Sequence, residues 1–247
     1  LIPNVLQNLI LQEQDPLVLR HALDSIQDIR DSAILKVAME ILSNPKQYYW
    51  ATAEAFYLFS TQKTKAAVDF LLDFKIENDY KSILENAYYY ALGRTRDPRV
   101  LDTLNKKLEY GSVSVKARPG VIRGLVDCLK WVKKPEKEQY LERLIDLLRK
   151  DQDEIILITL SREFNRLNDP ILASALETSK NKFAKQYHPR LDRIIKKIRT
   201  TKEPESTVKK YEKKFKKLQK KVSKLQNRLE KLENMVDSKK SNKKDEY

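Results

Sequence analysis

The sequence predicts an all-α chain: an α-solenoid of helical hairpins followed by one long C-terminal coiled-coil helix. Three observations carry this. Among 247 residues there are only four glycines, and the segments between nine scattered prolines are rich in Leu, Ile, Ala, Lys, Glu and Arg, a composition that favours long helices with short connections over sheets. Polar breakers recur before amphipathic runs, and measured between Asp15, Asn44, Asn78, Val113, Asp151 and His188 their steps are 29, 34, 35, 38 and 37 residues, a helical-hairpin period. From Val208 onward apolar residues alternate by three and four for four heptads, as a coiled coil requires.

The solenoid is expected over residues 1–201. Its breakers are QDP at 14–16, SNP at 43–45, END at 77–79, GSVS at 111–114, KDQD at 150–153 and YHP at 187–189. The second helix of each pair reads SAILKVAMEIL (32–42), KTKAAVDFLLDF (63–74), RVLDTLNKKL (99–108), EQYLERLIDLL (138–148) and ILASALETSKNKF (171–183), with apolar residues at i, i+3, i+4 and i+7. One such helix cannot bury its stripe alone, whereas stacked pairs bury a continuous core.

Between these lie broader apolar runs, YYWATAEAFYLF at 48–59 and a helix from about Tyr80 to Gly93. In the latter Leu84, Ala87, Tyr88, Ala91 and Leu92 share a face, while Tyr89 and Tyr90 point to its flanks. Either these aromatics pack the core of an inner helix, or Tyr89 and Tyr90 belong to a concave aromatic strip that receives a partner. Gly93 fits a helix C-cap, and Asp97-Pro98 fits an N-cap followed by proline in the first turn. Pro119 and Gly120 interrupt a smooth helix in the fourth repeat.

Residues 202–207, KEPEST, read as a linker, and 208–237 as the coiled-coil helix, with Tyr211, Phe215, Leu218, Val222, Leu225, Leu229 and Leu232 along its seam. With Val208 at position a, the g positions hold Lys214, Lys221 and Arg228 and the following e positions hold Gln219, Gln226 and Glu233, so a parallel homodimer meets no like-charged pair. Folding back on the solenoid would use the same seam. The tail 238–247 lacks apolar periodicity and is expected to be disordered.

The net charge of +14 is unevenly spread. Residues 1–100 carry 11 Lys+Arg against 13 Asp+Glu, residues 101–201 carry 22 against 14, and residues 202–247 carry 16 against 8. The basic half attracts acidic protein surfaces or polyanions. Lys213, Lys217, Lys220 and Lys224 on the outside of the last helix are candidates for that contact, but aromatics do not interleave with them, which disfavours stacking on bases. Arg94, Arg96 and Arg99 crowd one corner and are candidates to clamp an anion.

Chemistry is sparse. His21 and His188 are the only histidines, which excludes a multi-histidine metal centre built by this chain alone, and no H-E-x-x-H, Gly-rich phosphate loop or G-x-S-x-G elbow occurs. No catalytic, cofactor-binding or metal-ligating residue is assigned. The single cysteine, Cys128, sits in the apolar run GLVDCLKWV and reads as a buried, inert thiol. It allows no internal disulfide, so a cytoplasmic location is expected. The apolar run IILITLS at 155–161 is far too short to span a membrane. Helical periodicity begins almost at Leu1, as in a piece of a longer protein.

NAYYYALGRTRDPRVLDTL at 86–104 and VKARPGVIRGLVDCL at 115–129 resemble HEAT-type repeats. With YYWATAEA, the ALGRTRDPRV turn, YHPRLDRIIKKI at 187–198 and the charged heptads, residues 1–236 resemble the C-terminal region of zinc aminopeptidases of the aminopeptidase N family and of a related transcription-initiation factor subunit. That resemblance implies a non-catalytic solenoid that walls a substrate cleft, with zinc and the exopeptidase chemistry held by an upstream catalytic domain. None of that family's metal ligands maps onto a position here. The expected function is therefore a protein-contacting scaffold. The alternative is a free-standing HEAT-repeat adaptor that takes acidic proteins or nucleic acid on its basic C-terminal half.

Overall fold

A computed structural model describes residues 4–200 apart from 45, 77–79 and 134, and in the C-terminal segment only Phe215, Gln219, Val222 and Ser223. The described chain is all-helical, with no strand. It divides into two compact units, 1–199 and 200–247.

In the first unit the helices are α1 (Asn4–Gln12), α2 (Pro16–Ser25), α3 (Ser32–Ser43), α4 (Tyr49–Gln62), α5 (Lys65–Asp73), α6 (Ile83–Arg94), α7 (Val100–Lys107), α8 (Arg118–Leu129), α9 (Glu136–Lys150), α10 (Glu154–Leu167), α11 (Pro170–Thr178) and α12 (His188–Thr200). Polar residues of the connections act as caps, two of them, Asp15 and Asp153, from the breakers QDP and KDQD. Asp15 accepts from the backbone N–H of Leu17 and Val18, Asp31 from Ala33, Thr64 from Ala67, and Asp153 from Ile155 and Ile156, which satisfies donors that the first turn of each helix leaves open.

Even-numbered helices pack in succession, α2 on α4, α4 on α6, α6 on α8 and α8 on α10, and the odd-numbered ones lie against them, α3 on α4, α5 on α4 and α6, α7 on α6 and α8, α9 on α8 and α10. Burial follows from this placement. Helix α9 hides one stripe, Tyr140, Leu141, Leu144, Ile145 and Leu148, whereas α8, with neighbours on several sides, buries ten of its twelve residues. Phe56, Phe59, Phe164, Leu23, Leu92 and Ile122 are fully enclosed, each worth roughly 1.5–3 kcal/mol in transfer from water.

The tyrosine run resolves mostly into this core. Tyr88 packs edge-on against Phe56 and donates its hydroxyl to the Leu71 carbonyl at 2.7 Å, and Tyr89 lies edge-on to Tyr88. Tyr89 is 6% exposed, so its place among partner-binding candidates is corrected: it is a packing residue of α6. Tyr90 remains half-exposed.

Two backbone expectations are corrected as well. Gly93 is not a C-cap; α6 runs through it to Arg94, and a Cβ at Gly93 would sit 1.9 Å from the Gly124 carbonyl oxygen of α8. A Cβ at Gly124 would come 2.3 Å from the Tyr89 carbonyl oxygen, and one at Gly120 2.0 Å from that of Asn86. Three of the four glycines thus exist to let α6 and α8 touch backbone to backbone. Pro119 and Gly120 open α8 rather than break it, because proline in the first turn forfeits no intrahelical hydrogen bond.

In the second unit Phe215, Gln219, Val222 and Ser223 are helical, and the seam residues Phe215 and Val222 are exposed. Tyr211, Leu218, Leu225, Leu229 and Leu232 of the seam, the candidate contacts Lys213, Lys217, Lys220 and Lys224, the linker 202–207 and the tail 238–247 lie outside the described residues.

Candidate functional site

The side of the even-numbered row that the odd helices leave uncovered carries a strip of aromatic and charged side chains from α2 to α10. At its start Arg20 of α2 lies 4.7 Å above the Trp50 ring and reaches Glu54 of α4 at 3.4 Å. Gln27 donates to the other Glu54 oxygen at 2.7 Å and accepts from Arg94 of α6 at 3.4 Å. The Arg94 guanidinium stands 5.7 Å from Tyr57 and 5.8 Å from Tyr90, whose rings meet edge-on. At the far end Arg166 of α10 bridges Asp127 of α8 at 2.6 Å and Glu163 at 2.5 Å.

Burial governs the electrostatics of this strip. It raises the carboxyl pKa of Glu54 and of Glu163 against the pull of their arginines, and it pushes the Tyr57 phenol up to about 12. The strip therefore offers aromatic faces and hydrogen-bonding charges, and the Tyr57 phenol keeps its proton at neutral pH.

Past the ends of the helices the balance changes. A cleft of about 390 Å³ is lined by Arg30, Lys63, Arg94, Arg96, Lys130 and Arg166, with Asp28, Asp127 and Trp131. These residues follow or end α2, α4, α6, α8 and α10, so the row is parallel and its carbonyl-bearing C-termini converge here. Converging helix dipoles explain part of the cationic excess, since basic residues complement C-terminal partial charge. Lys63 and Arg96 occupy these places in left-handed conformation, at φ 53° and 62°, where glycine is the usual residue. Burial and the nearby Arg96, Arg30 and Arg94 hold the Lys63 ammonium pKa below its ordinary value. Trp131 is 60% exposed, with the Arg96 guanidinium 4.2 Å over its ring.

The sequence candidates separate here. Arg94 and Arg96 line this cleft, but Arg99 does not. It is held by Asp97 through two bonds, at 3.0 and 2.8 Å, and by Asp69 at 2.6 Å, and these hydrogen bonds raise its pKa. Arg99 thus ties α5 to the turn that enters α7, and with Arg96, Lys63 and Lys65 it lines a separate pocket beside that turn. Sequence reasoning missed Arg30, Lys63, Lys130, Arg166 and Trp131.

Cys128 is buried 3.7 Å from the Asp97 carbonyl, and burial pushes its thiol up to about 12, so it is a neutral thiol. Among the described residues no three His, Cys, Asp or Glu side chains gather as a metal ion would require, and no helix is long and apolar enough to cross a membrane. No protein-family model matches the chain, and no curated protein matches it either.

Proposed function

We propose that the chain is a HEAT-type α-solenoid that acts as a non-catalytic protein-binding scaffold and receives its partner on the uncovered side of the even-numbered row. The observation that carries this is the strip itself: aromatic and charged groups from five successive parallel helices face one way, an arrangement the core does not need. Exposed arginines over aromatic rings are typical of protein contact surfaces. Nucleic acid is the weaker partner because Glu54, Asp127 and Glu163 recur along the strip and would repel a continuous phosphate backbone.

Two narrower parts belong to the same proposal. The C-terminal segment forms a coiled coil with a second copy, supported by the exposure of the helical seam residues Phe215 and Val222. The solenoid is the access wall of an aminopeptidase-like protein whose zinc and catalytic residues lie elsewhere, a setting that rests on the residues quoted for the resemblance.

Short random peptides displayed on phage and selected against the purified chain test the scaffold. Selected binders should lose tenfold or more in affinity with Tyr90→Ala or Trp131→Ala. Binders indifferent to both changes, or release of N-terminal residues from any peptide by the chain alone, would overturn it.

A further inference from the structure

The basic cleft at the helix ends carries a more specific conclusion, which rests on the scaffold reading. Among the described residues Arg30, Lys63, Arg94 and Arg96 have no ion-pair partner, because Asp127 is engaged by Lys130 at 3.0 Å and Arg166 at 2.6 Å. Six cations line the cleft against the carboxylates of Asp28 and Asp127. The converging helix C-termini offset part of this excess. Arg30, Lys63, Arg94 and Arg96 are still left without a carboxylate partner among the described residues, in a cleft of about 390 Å³ with one wall made by an exposed indole.

We propose that this cleft binds a phosphorylated side chain, phosphoserine or phosphothreonine, presented by a partner protein. A phosphoryl group carries close to two negative charges near neutral pH and accepts forked hydrogen bonds from guanidinium groups. Arg30, Lys63 and Arg96 come from three successive hairpins, with Arg94 beside Arg96, so one phosphoryl group bridges three repeats. Trp131 offers its free edge to the residue beside the modified one. The excess is also local: Asp24 and Glu54 flank the cleft on the α2 and α4 side and Glu163 on the α10 side, so a strand of successive phosphates would run onto carboxylates where a single dianion does not.

The backbone supplies a variant that does not endanger folding. Lys63 and Arg96 sit at positive φ, where glycine relieves strain, so Lys63→Gly with Arg96→Gly removes two cations while leaving the melting temperature at or above that of the parent. The chain has two tryptophans, Trp50 and Trp131, hence two indole N–H signals in a nitrogen-15 correlation spectrum, assigned by Trp131→Phe.

A neutral alanine-rich peptide bearing one phosphoserine is titrated into the full chain at fixed ionic strength, beside the same peptide with serine, the same peptide with glutamate, and a short single-stranded oligonucleotide. The expected result is a saturable shift of the Trp131 signal with the phosphopeptide, competed by inorganic phosphate and weakened at least tenfold in the double glycine variant. Lys36→Gln with Lys185→Gln, an equal loss of charge at exposed positions, should leave it unchanged. An unmoved Trp131 signal, an equal response to the glutamate peptide, tighter binding of the oligonucleotide, or undiminished binding by the glycine variant would overturn the assignment. A silent Trp131 with displayed-peptide binders that still depend on Tyr90 removes the phosphoryl site and leaves the scaffold standing, whereas peptide turnover removes both.

Discussion

Helix α8 meets its two even-numbered neighbours by different chemistry. Toward α6 it presents Gly120 and Gly124, and backbone rests on backbone with no room for a methyl group. Toward α10 and the turn before it, the joint is ionic at both ends of the helix: Arg118 in the first turn pairs with Asp151 at 2.7 Å, and Asp127 in the last turn pairs with Arg166. A close-packed backbone crossing has one geometry, set by sterics. An ionic joint depends on how far its charges are desolvated and therefore responds to pH. The first contact sets the middle of the row by shape, while the second adds charge pairs to the α8–α10 step, next to the basic cleft.

The largest expected effect lies in the ionic joint. The Arg118 side chain is only 2% exposed, its Nε has no hydrogen-bond partner, and its charge is balanced by Asp151. Asp151→Ala strands that guanidinium in the interior and should cost about 4 kcal/mol. In a chain of this size that lowers the melting temperature by roughly 10 °C. Arg118→Met combined with Asp151→Ala should recover most of the loss, because the buried charge is then absent. Thermal unfolding of both variants measures it; a single variant that melts like the parent would show that the pair is solvated and the contrast between the two joints smaller than the geometry indicates.

Next comes the glycine crossing. Gly124→Ala places a methyl 2.3 Å from the Tyr89 carbonyl oxygen, and neither helix can yield locally because both atoms in conflict belong to regular backbone. A loss of about 3 kcal/mol is expected, at the upper end of overpacking, despite alanine's better helix propensity. Chemical denaturation reads it. A neutral or stabilising outcome would mean that α6 and α8 can slide apart without penalty.

How much of this was legible in the sequence depended on the range of the cause. Helix positions were readable because periodicity and polar breakers act within one turn, as at Asp15 and Asp153, whereas of the caps expected at Gly93 and Asp97 neither holds: α6 runs through Gly93, and the residue at the α7 cap position is Arg99. The glycine crossing is tertiary, and Gly93 looks like a terminator until its partner helix is known; the spacing of small residues in GVIRG at 120–124 was the available signal. The basic cleft was missed for a related reason. Arg94, Arg96 and Arg99 were grouped by adjacency along the chain, whereas parallel helices bring together residues one repeat apart. Arg30, Lys63, Arg96, Lys130 and Arg166 recur at steps of 33, 33, 34 and 36 residues, the hairpin period itself. The tyrosines were half legible: their helix was clear, but whether Tyr89 or Tyr90 reached solvent depended on where α8 and α4 lie.

The smallest effect tests the ionic joint by titration. Burial, with the charge of Asp127, raises the Glu163 carboxyl above the ordinary glutamate value despite the pull of Arg166 and Arg123. An acid whose folded-state pKa is raised binds its proton more tightly when folded, so its contribution is present at pH below the ordinary value and is lost as pH rises through the folded-state value. At neutral pH the ionised Glu163 thus weighs against the fold, while Arg166 keeps Asp127 as a partner at 2.6 Å. Glu163→Gln should therefore match the parent near pH 4 and exceed it near pH 7, by less than about 1 kcal/mol. Unfolding curves at the two pH values measure the difference. If Glu163→Gln is instead less stable at neutral pH, the Glu163–Arg166 attraction within α10 outweighs the burial of its charge, and the carboxylate helps to hold Arg166 in place for Asp127 of α8.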